Sequence, residues 1–485
     1  MKKILALLLA ALMLISMVAC AAKQTPSDTT TSTDTTQQDT DTAATDDSAE
    51  STDSTDSAET VTLRWVGAGW SQGEKANRVI EKWNSVHPEI QIEYIELGSA
   101  ADEGYMTNLD TMVSGGEEVD LTYLTYSDVY KRVMNGGVLP LDEYINAAGD
   151  DYEAMYGTLS TAMLTYNDQI YGVPFAGNTF KVFYNKTMTD AAGITIPETW
   201  SIEEFEQAAE ALNDPANGVY GCVFPYTWDS ICYLAAELSG WKPVKTLDDG
   251  TIAPNFDDET FKTAMQWCHD LSTVDNVAPT LATMTSESLN RRQALATGQT
   301  AMIIDGPYTL VWLQNYMFND PGEGPLDFEL GVTNVPYATD AGKEISYNTV
   351  AGAFYVPKSA KYPAEAYEFA KFICNECSEE CGNYMPIYTG ADMNAATKSF
   401  TTYTDSNGDV HTDIYPEEVA VAAVSTPFES HIGHFGYDPT LASYDSLMRT
   451  LFSEQYALYI NDEMELNDWV DMMQQLGEAE IANAN

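Results

Sequence analysis

From Ala21 to Thr60 the chain has no aromatic residue and no bulky aliphatic one; it is almost all Thr, Ser, Asp, Ala and Gln. A segment of that kind cannot bury enough apolar surface to offset the entropy of ordering it, so disorder is expected there. Folding is confined to residues 61–485, a stretch longer than one hydrophobic core ordinarily organises, and two lobes are the expected arrangement.

Within that stretch strands and helices take turns. Val61-Thr62-Leu63-Arg64-Trp65-Val66 alternates as a strand, Gly67 to Ser71 reads as a turn, and Lys75 to Val86 as a helix whose Ala76, Val79, Ile80 and Trp83 share a face. Pro88 stops that helix, and Ile90 to Ile95 alternates again. Val119 to Leu124 is a third strand, followed by a loop and a helix around Val129. Further strands are expected at Lys181–Tyr184, Ala301–Ile304 and Phe354–Val356. Helices are expected from the capping box Ser201/Glu204 to Leu212 and from Pro363 to Cys374, the latter burying Ala366, Phe369, Ala370 and Ile373. This order calls for α/β lobes with parallel strands covered by helices, and no solenoid-type repeat is present.

The N-terminus carries an address. Lys2 and Lys3 precede an apolar run from Ile4 to Ala19, too short for a comfortable membrane span, which makes residues 1–19 a secretory signal peptide. Met17-Val18-Ala19-Cys20 resembles the lipobox of bacterial lipoproteins, although Met17 departs from the usual leucine. The resemblance implies lipidation of Cys20, with residues 20–60 as an acidic tether holding the folded part away from the outer face of the membrane.

The whole chain has 74 acidic and 22 basic residues; residues 1–60 hold ten and three of them, so the remainder carries 64 acids against 19 bases, about −45. That charge opposes nucleic acid and other polyanions and suits neutral or cationic ligands. Besides Cys20 there are Cys222, Cys232, Cys268, Cys374, Cys377 and Cys381. The last three form C-x2-C-x3-C, but structural zinc takes four ligands, and the helical flanks favour buried thiols. Export permits disulfides, and Cys222 with Cys232 is one possible pair.

Several phrases, in order, resemble the extracellular solute-binding proteins of carbohydrate ABC importers, the maltose-binding-protein-like group. They are Glu81-Lys82-Trp83-Asn84 with Pro88 to Ile92; Val119-Asp120-Leu121-Thr122-Tyr123; Gly137 to Asp142; Ile170-Tyr171-Gly172-Val173-Pro174; Tyr184-Asn185-Lys186; Ala192-Gly193-Ile194 with Pro197 to Trp200; and Gly298 to Met302 with Gly306-Pro307-Tyr308. The resemblance spans most of residues 61–380 and implies a two-lobed, type II periplasmic-binding-protein-like α/β fold with a ligand cleft between the lobes. On that pattern residues 61–177 with 350–400 form lobe 1, and 178–348 with 425–485 form lobe 2. The chain crosses near Ala176–Thr179 and Tyr347–Val350 and exchanges lobes last between Met385 and Thr426, where Thr401–Asp413 reads as an inserted polar loop. The implied partners are a sugar or oligosaccharide, the permease of an ABC importer and the membrane through the lipid; no nucleic acid and no cofactor are expected, and the protein is expected to act as a monomer.

A neutral sugar presents C–H faces and a rim of hydroxyls, so its site needs flat rings together with carboxylates and amides. The resemblance places such groups at Trp70 and Ser71 after the first strand; at Tyr126, Ser127 and Asp128 after the third, where Ser127 or Asp128 serves equally well as a helix cap; at Asn178 in the crossover; and at Tyr226, Trp228 and Asp229, one of whose two rings reads as core. Tyr308 matches a stacking aromatic, and Tyr437 and Tyr444 lie in the loosely aligned C-terminal region. Trp241, Trp312 and Trp469 are left to packing. Gly67-Ala68-Gly69 is followed by Gly73 one place late for a dinucleotide turn, and His431-x-x-His434 has a glycine between its histidines and no third metal ligand. An exported glycosidase would need two placed carboxylates, which acid abundance alone does not supply, and neither G-x-S-x-G nor H-E-x-x-H occurs. A binding protein for a cationic polyamine or a metal is the other alternative.

Overall fold

The computed structural model describes residues 61–67, 69–97, 103–125, 129, 132–224, 236, 240–319, 321–337, 348–377, 385–424 and 441–484. Strand β1 (Val61–Gly67) leads into helix α1 (Gly69–Val86), and β2 (Ile90–Glu96) returns parallel to β1 in continuous register. The helix begins at Gly69, so Trp70 and Ser71 stand in its first turn and not in a loop, a correction to the expected boundary at Lys75. The expected apolar face is buried: Ala76, Val79 and Trp83 are covered, and Ile80 packs half-buried beside them. β3 (Leu121–Thr125) follows, two residues later than its sequence pattern suggests, and pairs parallel with β1.

β4 (Gly172–Thr179) and β5 (Lys181–Asn185) are separated only by Phe180, yet they belong to different sheets. Helix α2 (Ile202–Leu212) opens on the Ser201/Glu204 capping box and buries Phe205, Ala208, Ala209 and Leu212. β6 (Tyr220–Val223), the short helix α3 (Arg291–Ala296), β7 (Thr300–Asp305), helix α4 (Tyr308–Phe318) and β8 (Leu330–Asn334) continue the second half. β9 (Asn348–Tyr355) then re-enters the first sheet, α5 (Pro363–Glu376) covers it, and β10 (Met385–Pro386) closes its edge.

The six-stranded sheet runs β10-β4-β9-β3-β1-β2, and the four-stranded sheet runs β8-β5-β7-β6. Each has a core of its own. The first gathers Leu63, Trp65, Trp83, Tyr123, Phe354 and Phe369, with Trp65 and Trp83 both meeting Phe369 edge-on. On the second sheet Trp200, Phe205, Phe261, Met302 and Trp469 form one cluster, and Phe183, Ile303, Leu310 and Leu313 form another. Adjacent residues Met302 and Ile303 of β7 serve different clusters, as expected of a strand with side chains on both faces. Phe400, on helix α6 (Met393–Thr401), is fully buried in the latter cluster, so that stretch packs with the second sheet. The inserted polar loop contains a small hairpin, Tyr403–Thr404 against Val410–His411.

Trp241 and Trp469 are core residues, and Trp312 stacks half-buried on Tyr316. Cys374 and Cys377 are buried at the C-terminal end of α5, as the helical flanks imply, while Cys381 and Cys232 lie outside the described residues. Cys222 is a buried free thiol, so the pairing with Cys232 is not formed.

Candidate functional site

The passage of the chain from one sheet to the other concentrates polar groups. Asn178 and Thr179 end β4; Lys181 begins β5. In the second sheet Lys181 stands in register with Asp305 of β7 on one side and Asn334 of β8 on the other. Gly306 and Pro307 then turn the chain from β7 into α4, whose first residue is Tyr308.

Gly306 brings two candidate residues together. The position where a Cβ would stand on Gly306 lies 2.4 Å from Asn178 Oδ1 and 2.4 Å from Tyr308 Cε1, so side chains from the two sheets converge on one point that only glycine leaves open. Asn178 is 6 % exposed, and its Oδ1 has no hydrogen-bond partner among the described residues. The Oγ1 atoms of Thr179 and Thr309, both fully buried, are likewise without one. A buried acceptor left unsatisfied costs about 1–3 kcal/mol, which makes Asn178 Oδ1 a place where a donor from elsewhere gains.

Below Tyr308 lies an ion-pair cluster that no sequence motif announced. Asp305 is fully buried; Arg291 Nη2 donates to its Oδ1 at 2.9 Å, Arg292 Nε to its Oδ2 at 2.6 Å, and the Gly306 N–H to Oδ1 at 2.9 Å. Burial alone would push the Asp305 pKa up, but the two guanidiniums outweigh it and hold the carboxyl well below the usual carboxylate range. The Arg292 guanidinium carbon lies over the Tyr308 ring, 4.7 Å from its centroid. Arg291 and Arg292 begin helix α3, the end where the macrodipole disfavours cations, so Asp305 is what holds them there.

Lys181 is 4 % exposed and donates from Nζ to Asn334 Oδ1 at 2.6 Å. Burial pushes its pKa down to about 8, with Glu198 pulling the other way. An unfolded lysine keeps its proton to roughly pH 10.4, so between pH 8 and 10 the unfolded chain binds more protons and the Lys181 contribution to stability rises with pH. Below pH 8 it is flat. The melting-temperature difference between wild type and Lys181→Met is therefore expected to move in favour of wild type from pH 7 to pH 10; a constant difference across melts in that range would show that the ammonium is not depressed.

The other expected site residues are less fully placed. The side chains of Trp70 and Ser71 lie outside the described residues, as do Tyr126, Ser127, Asp128, Tyr226, Trp228, Asp229, Tyr437 and both histidines of His431-x-x-His434. Tyr444, on the helix Ala442–Ile460, packs half-buried against the core of the second sheet. A separate groove of about 920 Å³ includes Phe318, Phe328, His411 and Tyr415 in its lining. It meets α4 at its C-terminal end, ten residues or about 15 Å along the helix from Tyr308, and so is not the place where Asn178 and Tyr308 meet.

Comparison with known proteins bears on the fold and the family. The family described as "Bacterial extracellular solute-binding protein" matches residues 67–376. The maltotriose-binding protein of Pyrococcus abyssi is 22% identical over 378 residues, 76% of this chain and 76% of that protein. Among solved structures, a sugar transporter from Rhizobium etli in an open conformation superposes with a TM-score of 0.65 at 20% identity, over 86% of this chain and 99% of that one. An ABC substrate-binding protein from Listeria monocytogenes in complex with cycloalternan gives 0.64 at 18% identity, over 87% and 99%. The fold is thus the type II periplasmic-binding-protein-like α/β fold. The matched proteins are solute-binding proteins and not enzymes.

Proposed function

Because this chain belongs to the bacterial extracellular solute-binding protein family, we propose that it captures a sugar or oligosaccharide at the outer face of the cell and passes it to the permease of an ABC importer. The observation that carries this reading is the buried Asn178 Oδ1, without a hydrogen-bond partner among the described residues, converging with the Tyr308 ring on Gly306. A hydroxyl of the ligand supplies the missing donor, and the ring covers a C–H face. The names of the relatives support the class: one binds maltotriose and another is seen with cycloalternan.

Asn178 belongs to a strand of the first sheet and Tyr308 follows a strand of the second, so a ligand that touches both bridges the two halves of the fold. Such a ligand favours the closed arrangement by its differential affinity for it, and capture and release require no bond to be made or broken. The remaining aromatic and polar residues of the expected site, from Trp70 to Tyr444, complete the cleft in this reading. A lipid on Cys20 anchors the protein, which works as a monomer on the tether 20–60. Among the described residues no helix is long and apolar enough to cross a membrane.

Melting the full chain against maltotriose and other oligosaccharides, amino acids, spermidine and divalent metals tests the reading. A saccharide at 100 times its Kd adds about 2.7 kcal/mol of apparent stability. Tyr308→Ala is expected to weaken the saccharide that does so by about tenfold or more, in keeping with the loss of a stacking ring. No saccharide raising the melting temperature, or an unchanged affinity in Tyr308→Ala, would remove this function. Cys20→Ser is expected to move the protein from the membrane fraction to the medium; a variant still in the membrane fraction would sink the anchor.

A further inference from the structure

We propose that Arg292 is a specificity-determining residue of this site: its charge, set against one face of Tyr308, offsets the ring's attraction for cations on the other face and so disfavours positively charged solutes at a ring that serves a sugar. The proposal rests on the reading that Tyr308 lines the ligand site, and it adds what the site refuses.

The folded part of the chain carries about −45, a field that concentrates cations around it. An aromatic ring presented in that field is itself a cation site, attracting an ammonium over its face. Sugar-binding proteins need such rings, so an acidic sugar-binding protein needs a way to deny them to polyamines. Here the Arg292 guanidinium already lies over the Tyr308 ring at 4.7 Å. Any flat contact between a sugar and this ring is then made from the side opposite the arginine.

The arginine is not a loose surface group. Its Nε and Nη2 donate to the two oxygens of the fully buried Asp305, at 2.6 and 3.4 Å. The same carboxylate accepts from Arg291 and from the Gly306 N–H, so the strand end, the turn and α3 are tied to one anchor. The low pKa of Asp305 keeps that anchor charged at any physiological pH. A planar fork lets one side chain bind both oxygens and lie flat on the ring; a lysine could bring charge but could not do both. The arginine also stands at the end of α3 where a cation is disfavoured, a placement that the ion pair offsets.

Calorimetric titration of the full chain with spermidine and with maltotriose tests this, using wild type, Arg292→Gln, Arg292→Lys and the double variant Arg292→Gln/Tyr308→Ala. Wild type is expected to give no heat with spermidine. Arg292→Gln is expected to bind spermidine at least about tenfold above the wild-type limit, the size of one cation–ring contact, and to bind maltotriose more weakly. Arg292→Lys should exclude spermidine again, because the charge persists, without regaining the wild-type affinity for maltotriose. In the double variant the gained spermidine binding should vanish.

Arg292→Gln that excludes spermidine as wild type does would overturn the proposal, and so would spermidine binding that survives in the double variant, since it would then lie elsewhere on the acidic surface. If Arg292→Gln fails to fold, Arg292→Lys decides: spermidine binding by that variant overturns the proposal, and exclusion together with weakened maltotriose binding upholds it. Wild type that binds no saccharide removes the sugar reading, whereas spermidine gained by Arg292→Gln and lost in the double variant upholds the arginine's role independently.

Discussion

Replacing Gly306 by alanine is expected to reduce saccharide affinity by at least a hundredfold, the largest binding effect of any single methyl in this protein. The added carbon would stand 2.4 Å from Asn178 Oδ1 and 2.4 Å from the Tyr308 ring, where ordinary contact needs about 3.4 Å or more. Neither neighbour yields cheaply. Asn178 is buried on a strand held on both sides by β9 and β10, and Tyr308 lies against an arginine fixed by a buried carboxylate. The clash must displace the amide, the ring or the turn, and each of these belongs to the proposed site. Overpacking of this kind also lowers stability by about 1–3 kcal/mol, so the titration is run well below the melting temperature of the variant. Affinity within threefold of wild type would show that the ligand does not use the point where the two side chains meet.

Asp305→Ala is expected to cause the largest loss of stability. Removing one member of a buried pair strands the other, at a cost of about 3–5 kcal/mol. Here two guanidiniums, each about one-fifth exposed, lose their shared partner, which places the effect toward the lower end of that range. Asp305→Asn keeps an acceptor for the Gly306 N–H and should lose less. The pH dependence has a definite sign. A carboxyl held below its ordinary value contributes stability that is complete above the unfolded pKa, about 3.9, and is lost only as the pH falls toward the folded one. Denaturant melts should therefore show a constant gap between wild type and Asp305→Ala from pH 8 to pH 5. A gap that closes within that window, or a variant as stable as wild type, would contradict the burial and pairing described for this carboxylate.

The secondary structure was legible because burial follows period. The α1 stripe of Ala76, Val79, Ile80 and Trp83, the Ser201/Glu204 capping box and the apolar face of α5 are local patterns, and each formed as read. The start of α1 was misplaced because Gly67 and Gly69 signal a turn, whereas the helix runs from Gly69 despite the low helix propensity of glycine. The core that Phe400 joins is not legible locally either: only its burial in one cluster with Phe183 and Leu310 shows it.

Of the site, Tyr308 and Asn178 were nominated by resemblance to a family, and their mutual approach could not be. They are far apart in the chain and come from different sheets. The Asp305 cluster was missed altogether. Arginines opening a short helix and an aspartate ending a strand have no characteristic spacing, and their pairing exists only once α3 packs on β7. The one available signal was Asp305 itself, a charge at the end of an otherwise apolar run from Ala301 to Ile304, which in a buried strand demands a partner.

The placing of β9 between β3 and β4 bears on how the protein is made. β3 ends at Thr125 and β4 at Thr179, yet the strand that joins them is not complete until Tyr355. A chain emerging from its N-terminus thus holds the larger sheet in two unjoined pieces until more than two thirds of its length has been released. Non-local pairing of this sort is slow to form, and a nascent chain that cannot close its own sheet keeps strand edges unpaired for longer.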